Sequence, residues 1–361
     1  MRVLFRALLI LLKLPLASLF WLAVNVRHVL YAHKILKQHE FKIPVICVGN
    51  LAVGGTGKTP HVQLLLQLLL LHSEGIKVAT LSRGYRRKSV GFCYVEQSSA
   101  ACEVGDEPLQ IKRRFPQATV AVCKNRALGI KKIIEDNPEV KAVVLDDAFQ
   151  HRRVKAGLSI VLTTCDNLAT KDYMLPLGRL RDSANQLHRA EMVVVTKCPH
   201  NLKPIDFNVL EKNLKIRPYQ YLYFTTCTYG SMVHLATGKP VAALDAKSVI
   251  ALAGIANPQP FFDRLKERYP LAQTLRFADH HCFSARDLKR LAQAMQRHSG
   301  SVVVTTEKDA MRLMDAGMSD ELKSKIYYQP IDTQFLNNGQ QCFIQKTLSY
   351  VRKNKRIGHL H

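Results

Sequence analysis

Residues 48–60, VGNLAVGGTGKTP, continue the apolar run PVICVGN (44–50) and lead into a Leu-rich stretch over 60–72. A buried strand that turns through glycines straight into a helix opens a βα unit, and such a strand needs parallel neighbours and helices over both faces. Gly54, Gly55, Thr56 and Gly57 make a tight loop whose N–H groups can face phosphate. Lys58 adds a charge for the β- and γ-phosphates, and Thr59 a hydroxyl within reach of Mg²⁺. These six residues are the candidate nucleotide contacts, for ATP with Mg²⁺. The strict G-x-x-x-x-G-K-[ST] spacing asks for glycine at position 52, where this chain has Ala52.

The rest of the chain repeats the alternation. VATLS (78–82), TVAVC (119–123), AVVLDD (142–147), LSIVLTT (158–164) and MVVVTK (192–197) read as strands, with a helix over 125–136. The pattern loosens over 200–245 and resumes with VIALAGI (249–255), a helix over 260–268, TLRF (274–277), a helix over 285–297, SVVVTT (301–306) and a helix from about 308. The expected architecture is α/β: a P-loop NTPase-like, mostly parallel sheet, a second smaller α/β lobe and an N-terminal membrane-associated helix. The expected boundaries are 1–30 for that helix, 31–220 for the P-loop domain and 221–361 for the second lobe, with VRKNKRIGHLH as a frayed or surface-bound basic tail.

Residues 3–26 are strongly apolar, but Arg6 and Lys13 interrupt them and the longest charge-free run is Leu14–Val26, short of the ~18–20 residues of a clean span. At about 100° per residue, Arg2, Arg6, Lys13 and Arg27 fall in one stripe roughly 60° wide. A helix lying in the membrane interface, cations toward headgroups, fits this pattern, although Pro15 can shift its phase. A tilted span with snorkelling cations, a cleaved signal peptide and a buried core helix are the alternatives. The formal net charge of +24 asks for an anionic partner: nucleic acid, membrane surface or a phosphorylated substrate. Nine scattered cysteines with no C-x-x-C pair argue against a disulfide framework or zinc ribbon and suit a reducing compartment.

Three further segments carry chemistry. In AVVLDDAFQH (142–151) a hydrophobic strand ends in Asp146 and Asp147, where P-loop enzymes place a Mg²⁺-binding acid. VGDEPLQIKRRF (104–115) puts Asp106 before an early proline, which N-capping alone would explain. In RFADHHCFSARDL (276–288), Ser284 and Asp287 form a helix start, leaving Asp279, His280 and His281 in the loop after a strand, where open α/β sheets put ligands. SRGYRRK (82–88), KNRALGIKK (124–132) and MLPLGRLRDS (174–183) add cations for phosphates or headgroups, a solvated face being the commoner use of such runs. In VTKCPH the Thr-Lys of a guanine-reading (N/T)-K-x-D motif is followed by Pro199 where the Asp belongs, which counts against a GTPase.

Taken in order, VGNLAVGGTGKTP, SRGYRR, VGDEP, LDDAFQH, LPLGRLRD, AGIANPQPFF, FADHH and VTTEKDA resemble the tetraacyldisaccharide 4′-kinases of lipid A biosynthesis across about residues 44–313. The apolar N-terminus is similar to that family's membrane-docking segment, and the family's own loop lacks the first strict glycine. The resemblance implies transfer of the ATP γ-phosphate to the 4′-hydroxyl of a tetraacylated glucosamine disaccharide 1-phosphate, at the cytoplasmic face of the inner membrane. It implies Lys58 and Thr59 for ATP and Mg²⁺, Asp146 and Asp147 for metal and phosphate positioning, and Asp106 as catalytic base oriented by His280. Metal contacts would be Thr59, Asp147 and Asp182. Two departures stand out: Ala148 where the family usually has Gly, and Asp182 where it usually has Glu. Expected partners are the lipid substrate and an anionic membrane surface, with no call for nucleic acid or an obligate protein partner. A membrane P-loop ATPase or GTPase, or a basic nucleic-acid-binding protein, are the competing readings. The latter lacks aromatic platforms or a recognition motif, aromatics being 7%.

Overall fold

The computed structural model describes the backbone of residues 2–72 and 76–357 and the side chains of 13–72 and 76–353. The chain forms two compact units, 1–83 with 117–227 and 333–361, and 84–116 with 228–332. This replaces the contiguous boundaries expected from the sequence. Residues 84–116, including Asp106, belong to the second unit, and 333–361 return to the first. Local periodicity finds elements but carries no record of which sheet a later segment rejoins.

In the first unit the strands lie in the spatial order Ile331–Phe335, Tyr221–Tyr229, Met192–Thr196, Leu158–Thr164, Val45–Asn50, Val140–Asp146, Lys77–Ser82 and Thr119–Val122. From Tyr221–Tyr229 across to Thr119–Val122 every pairing is parallel. Val45–Asn50 is buried at all six positions, as a strand covered on both faces must be. The following helix, Lys58–His72, buries Val62, Leu65, Leu66 and Leu69. The loops that carry Lys58 and Asp147 leave the carboxyl ends of adjacent, parallel strands, the edge where open α/β sheets hold ligands.

The second unit has a smaller sheet in the order Pro240–Val241, Met232–His234, Ile326–Gln329, Ser301–Thr306, Ser248–Ala253 and Leu271–Arg276. Its last four strands are parallel, and Phe261, Phe262 and Leu265 of helix Gln259–Arg268 pack with Val249, Ala251 and Val304 in its core. Ser284 and Asp287 form the expected capping box of helix Ala285–Arg297.

The N-terminal helix runs Arg2–Ala32 with Pro15 inside it. Lys13–Ala32 is, among the described residues, the one helix long and apolar enough to cross a membrane. Ala17, His28 and Tyr31 are buried and Phe20 and Val24 partly so, while Leu14, Leu16, Leu19, Trp21, Leu22, Val26 and Val29 are exposed. On the wheel the inward residues occupy about the same sector as the expected cationic stripe. Arg27 accordingly donates to Gln150 O (2.5 Å), a protein partner, and the outward circumference is apolar. The side chains of Arg2 and Arg6 lie outside the described residues. The C-terminal segment is a helix, Gly339–Ile357, in which Phe343, Ile344 and Val351 are buried, so the tail expected to be frayed or surface-bound begins inside this helix; residues 358–361 lie outside the described residues.

Candidate active site

The glycine-rich loop owes its shape to Gly54 (φ 108°) and Gly57 (φ 85°), in a region side chains disfavour. Buried side chains fix the end of the loop next to the helix. Asn50 Nδ2 donates to Thr56 Oγ1 (2.8 Å), and Thr196 Oγ1 donates to Thr56 O (2.8 Å). His61, one turn into the helix, contacts Gly57 O through Nδ1 (2.7 Å) and Thr225 Oγ1 through Nε2 (3.0 Å). Burial lowers its pKa to about 4, so it is neutral at physiological pH, with Nδ1 donating to the carbonyl. Gly54 and Gly55 are exposed, Gly57 and Lys58 partly buried, and Thr56 and Thr59 buried.

Asp147 takes a left-handed backbone (φ 49°) just past its strand. Lys58 Nζ lies 3.8 Å from its Oδ2. Arg181 forks onto the same carboxylate, with Nη1 at 3.2 Å from Oδ2 and Nη2 on Oδ1, and Nη2 also reaches Asn50 Oδ1 (2.5 Å). Burial alone would raise the Asp147 pKa, but the charges of Lys58, Arg181 and Arg126 outweigh it and hold the carboxyl below the usual range. Asp146 is buried, within electrostatic reach of Arg126, whose own pKa is lowered by burial against the pull of Asp146 and Asp147.

Asp182, expected among the metal contacts, is engaged through one oxygen. It is buried, and its Oδ1 accepts from His28 Nε2 (2.6 Å) and from the Ser183 N–H (2.9 Å). Arg152 Nη1 in turn donates to His28 Nδ1 (2.8 Å), which fixes the proton on Nε2. Asp182 is thus tied through Oδ1 to the N-terminal helix, and its neighbour Arg181 meets Asp147. Among the described residues no three His, Cys, Asp or Glu side chains gather as a metal-holding cluster.

In the second unit Asp106 is the first helical residue of Asp106–Arg114 rather than its cap. Gly105 (φ 97°) occupies the cap, and the carboxylate is thereby free to face neighbouring elements. His280 Nδ1 donates to its Oδ2 (3.1 Å), as the resemblance implied. Arg312 Nε donates to the same oxygen (3.1 Å). Burial favours the neutral acid, but the His280 hydrogen bond and the charges of Lys308 and Arg312 prevail, and Asp106 is held far below the usual carboxylate range. Lys308 also pairs with Glu107, and Tyr85 packs edge-on against the His280 ring at 5.6 Å. The sequence reading missed Asn50, His61, Asp309 and Arg312. The first two flank the loop motif, and the others sit in the quoted VTTEKDA run and its continuation.

A family model described as tetraacyldisaccharide-1-P 4′-kinase matches residues 8–349. The chain belongs to this family. A tetraacyldisaccharide 4′-kinase from Bacteroides thetaiotaomicron is 42% identical over 357 residues, covering 95% of this chain and 93% of the relative. One from Flavobacterium johnsoniae is 43% identical over 341 residues, covering 94% and 96%. A solved structure, the "apo" form of LpxK from Aquifex aeolicus in complex with ATP, superposes with a TM-score of 0.74 at 25% identity, covering 94% of this chain and 98% of its own. Family membership makes the chain an ATP-dependent lipid kinase, and nothing favours the ATPase, GTPase or nucleic-acid readings.

Proposed function

We infer that the chain transfers the γ-phosphate of ATP to the 4′-hydroxyl of a tetraacylated glucosamine disaccharide 1-phosphate, a step of lipid A biosynthesis, with the residue roles that follow. The observation that carries this reading is the pairing of Lys58 with Asp147 beside the glycine-rich loop, within a family match spanning 8–349. The hydroxyl oxygen forms the new bond to the γ-phosphorus, the bond to the bridging oxygen breaks, and ADP leaves with that electron pair. The hydroxyl proton passes to Asp106, whose carboxylate His280 orients. Because the transition state is loose and its charge spread over phosphoryl oxygens, positioning and electrostatics carry most of the acceleration. The loop N–H groups and Lys58 bind phosphate, and Arg181 keeps Asp147 in place.

Mg²⁺ is consistent with the oxygens on hand. Thr59 and Asp147, with Asp146 behind them, are hard donors, and Mg²⁺ in kinases needs only one or two carboxylates beside phosphates and water. Bound there, it would neutralise charge building on the phosphates. Asp182 is left out of that set. The outward apolar face of Lys13–Ala32 supports docking to the inner membrane, at the cytoplasmic face where ATP is available.

Incubation with γ-labelled ATP, Mg²⁺ and the acylated disaccharide 1-phosphate in detergent tests the reading. Label is expected in the lipid; label released only as inorganic phosphate would replace it with an ATPase.

A further inference from the structure

We propose that Arg312 is a positioning residue for phosphoryl transfer, locking the Asp106 carboxylate in the orientation from which it accepts the substrate proton. The proposal rests on the reading of Asp106 as base. Among the described residues Asp106 Oδ1 accepts the neighbouring Glu107 N–H alone (3.1 Å), whereas Oδ2 receives His280 Nδ1 and Arg312 Nε, both at 3.1 Å, with Arg312 Nη2 at 3.0 Å. Donors from two separate elements on one oxygen fix the rotation of the carboxylate and leave Oδ1 as its lightly engaged side.

Arg312 is itself held rigidly. Its Nη1 donates to Asp309 Oδ1 and to Gly254 O, each at 3.0 Å. Asp309 is anchored through Oδ2 by Thr306 Oγ1 (2.6 Å) and the Gly254 N–H (2.9 Å). Gly254 O also accepts the His280 backbone N–H (3.2 Å). Thr306 caps helix Glu307–Met314, and Asp309 and Arg312 follow it at three-residue intervals. The loops after three parallel strands are thus joined through Gly254 into one bracket around Asp106.

Asp309 is fully buried, and the Arg312 donors are spent on Asp106, Asp309 and Gly254, so Arg312 acts through Asp106. A guanidinium fork sets direction as well as charge, which an ammonium cannot reproduce. The competing role is plain neutralisation of two buried carboxylates, in which case the charge alone would matter.

The experiment measures kcat, KM for ATP and lipid, and the pH dependence of kcat in Arg312→Lys, Arg312→Gln, Asp106→Asn and the double variant Asp106→Asn/Arg312→Gln. The groups facing Asp106 are Glu107 on its own helix and His280, Lys308, Asp309 and Arg312 on the elements around it. Arg312→Lys should lower kcat about tenfold and Arg312→Gln about a hundredfold, with KM for ATP within about twofold. In Arg312→Gln the acidic limb of the profile should move to higher pH. On the Asp106→Asn background the Gln substitution should cost less than about twofold. The inference is overturned if Arg312→Lys turns over normally with an unshifted profile, or if Arg312→Gln costs the same factor on the Asp106→Asn background. If Arg312→Gln does not fold, Arg312→Lys, which retains the charge, decides. Near-normal turnover by Asp106→Asn would remove the base assignment itself; an inactive Asp106→Asn beside normal Arg312 variants would remove only the role given to Arg312.

Discussion

Asp147 and Asp106 are each held by an arginine and a second basic side chain, yet the Asp147 side chain is 34% exposed and that of Asp106 only 8%. At the partly exposed site the ion pairs are better screened, and an incoming phosphate or cation can replace Lys58 or Arg181 at smaller cost. At the sealed site each pair stands in low dielectric, and losing one partner leaves a charge without compensation. The difference teaches that one arrangement of acid and base serves two ends, exchange of partners in the first unit and fixity in the second.

The largest expected effect breaks the fixed side. Asp106→Asn should lower kcat about 10³-fold, within the usual range for removing a general base, with KM for ATP nearly unchanged, as steady-state assays in detergent would show. A mainly elevated KM would assign Asp106 to binding. Next is the exchanging side: Lys58→Ala should cost about 10²-fold in kcat, roughly 3 kcal/mol, for one preorganised contact to phosphate. Near-normal turnover would end the loop assignment.

The third expectation concerns stability. His28→Ala strips buried Asp182 of a charge-assisted partner and should cost about 2 kcal/mol, read as a lower Tm in detergent. An unchanged Tm would show Asp182 to be indifferent to His28. The last expectation is a pH dependence. Burial, only partly offset by Arg114 and Gln110, raises the Glu307 pKa from an ordinary 4.5 to about 7. An acid whose pKa rises on folding binds more protons in the native state, so its contribution to stability falls as pH climbs between those values and levels off above them. Glu307→Gln should therefore have a higher Tm than the parent at pH 8, and the gap should narrow as pH falls and close below an ordinary 4.5. A gap independent of pH would contradict the shift.

Much of this was legible in the chain. Buried parallel strands such as Val45–Asn50 and Ser301–Thr306 announce themselves as apolar runs, and Gly54, Gly57 and Lys58 by spacing. Tyr221–Tyr229 escaped because YLYFTTCTY mixes polar and apolar residues and only its middle is buried. Asp106 met His280 as the family resemblance implied, but its bond to Arg312 spans 206 positions and no local pattern encodes it. The bond from Asp182 to His28 was hidden for the same reason: the two lie 154 positions apart, and the hydropathy of the N-terminal segment names no partner for a buried carboxylate.

That His28–Asp182 bond also bears on how the enzyme can be handled. Trimming the apolar N-terminal helix is the obvious way to obtain a detergent-free preparation. Here the cut would remove His28, Tyr31 and Arg27 together, stranding Asp182 and taking from Arg152 both its histidine acceptor and the Tyr31 ring over which it lies. Solubility is better sought by replacing Leu16, Leu19, Trp21, Leu22 and Val26 with polar residues, since these point away from the fold, while the inward face is kept.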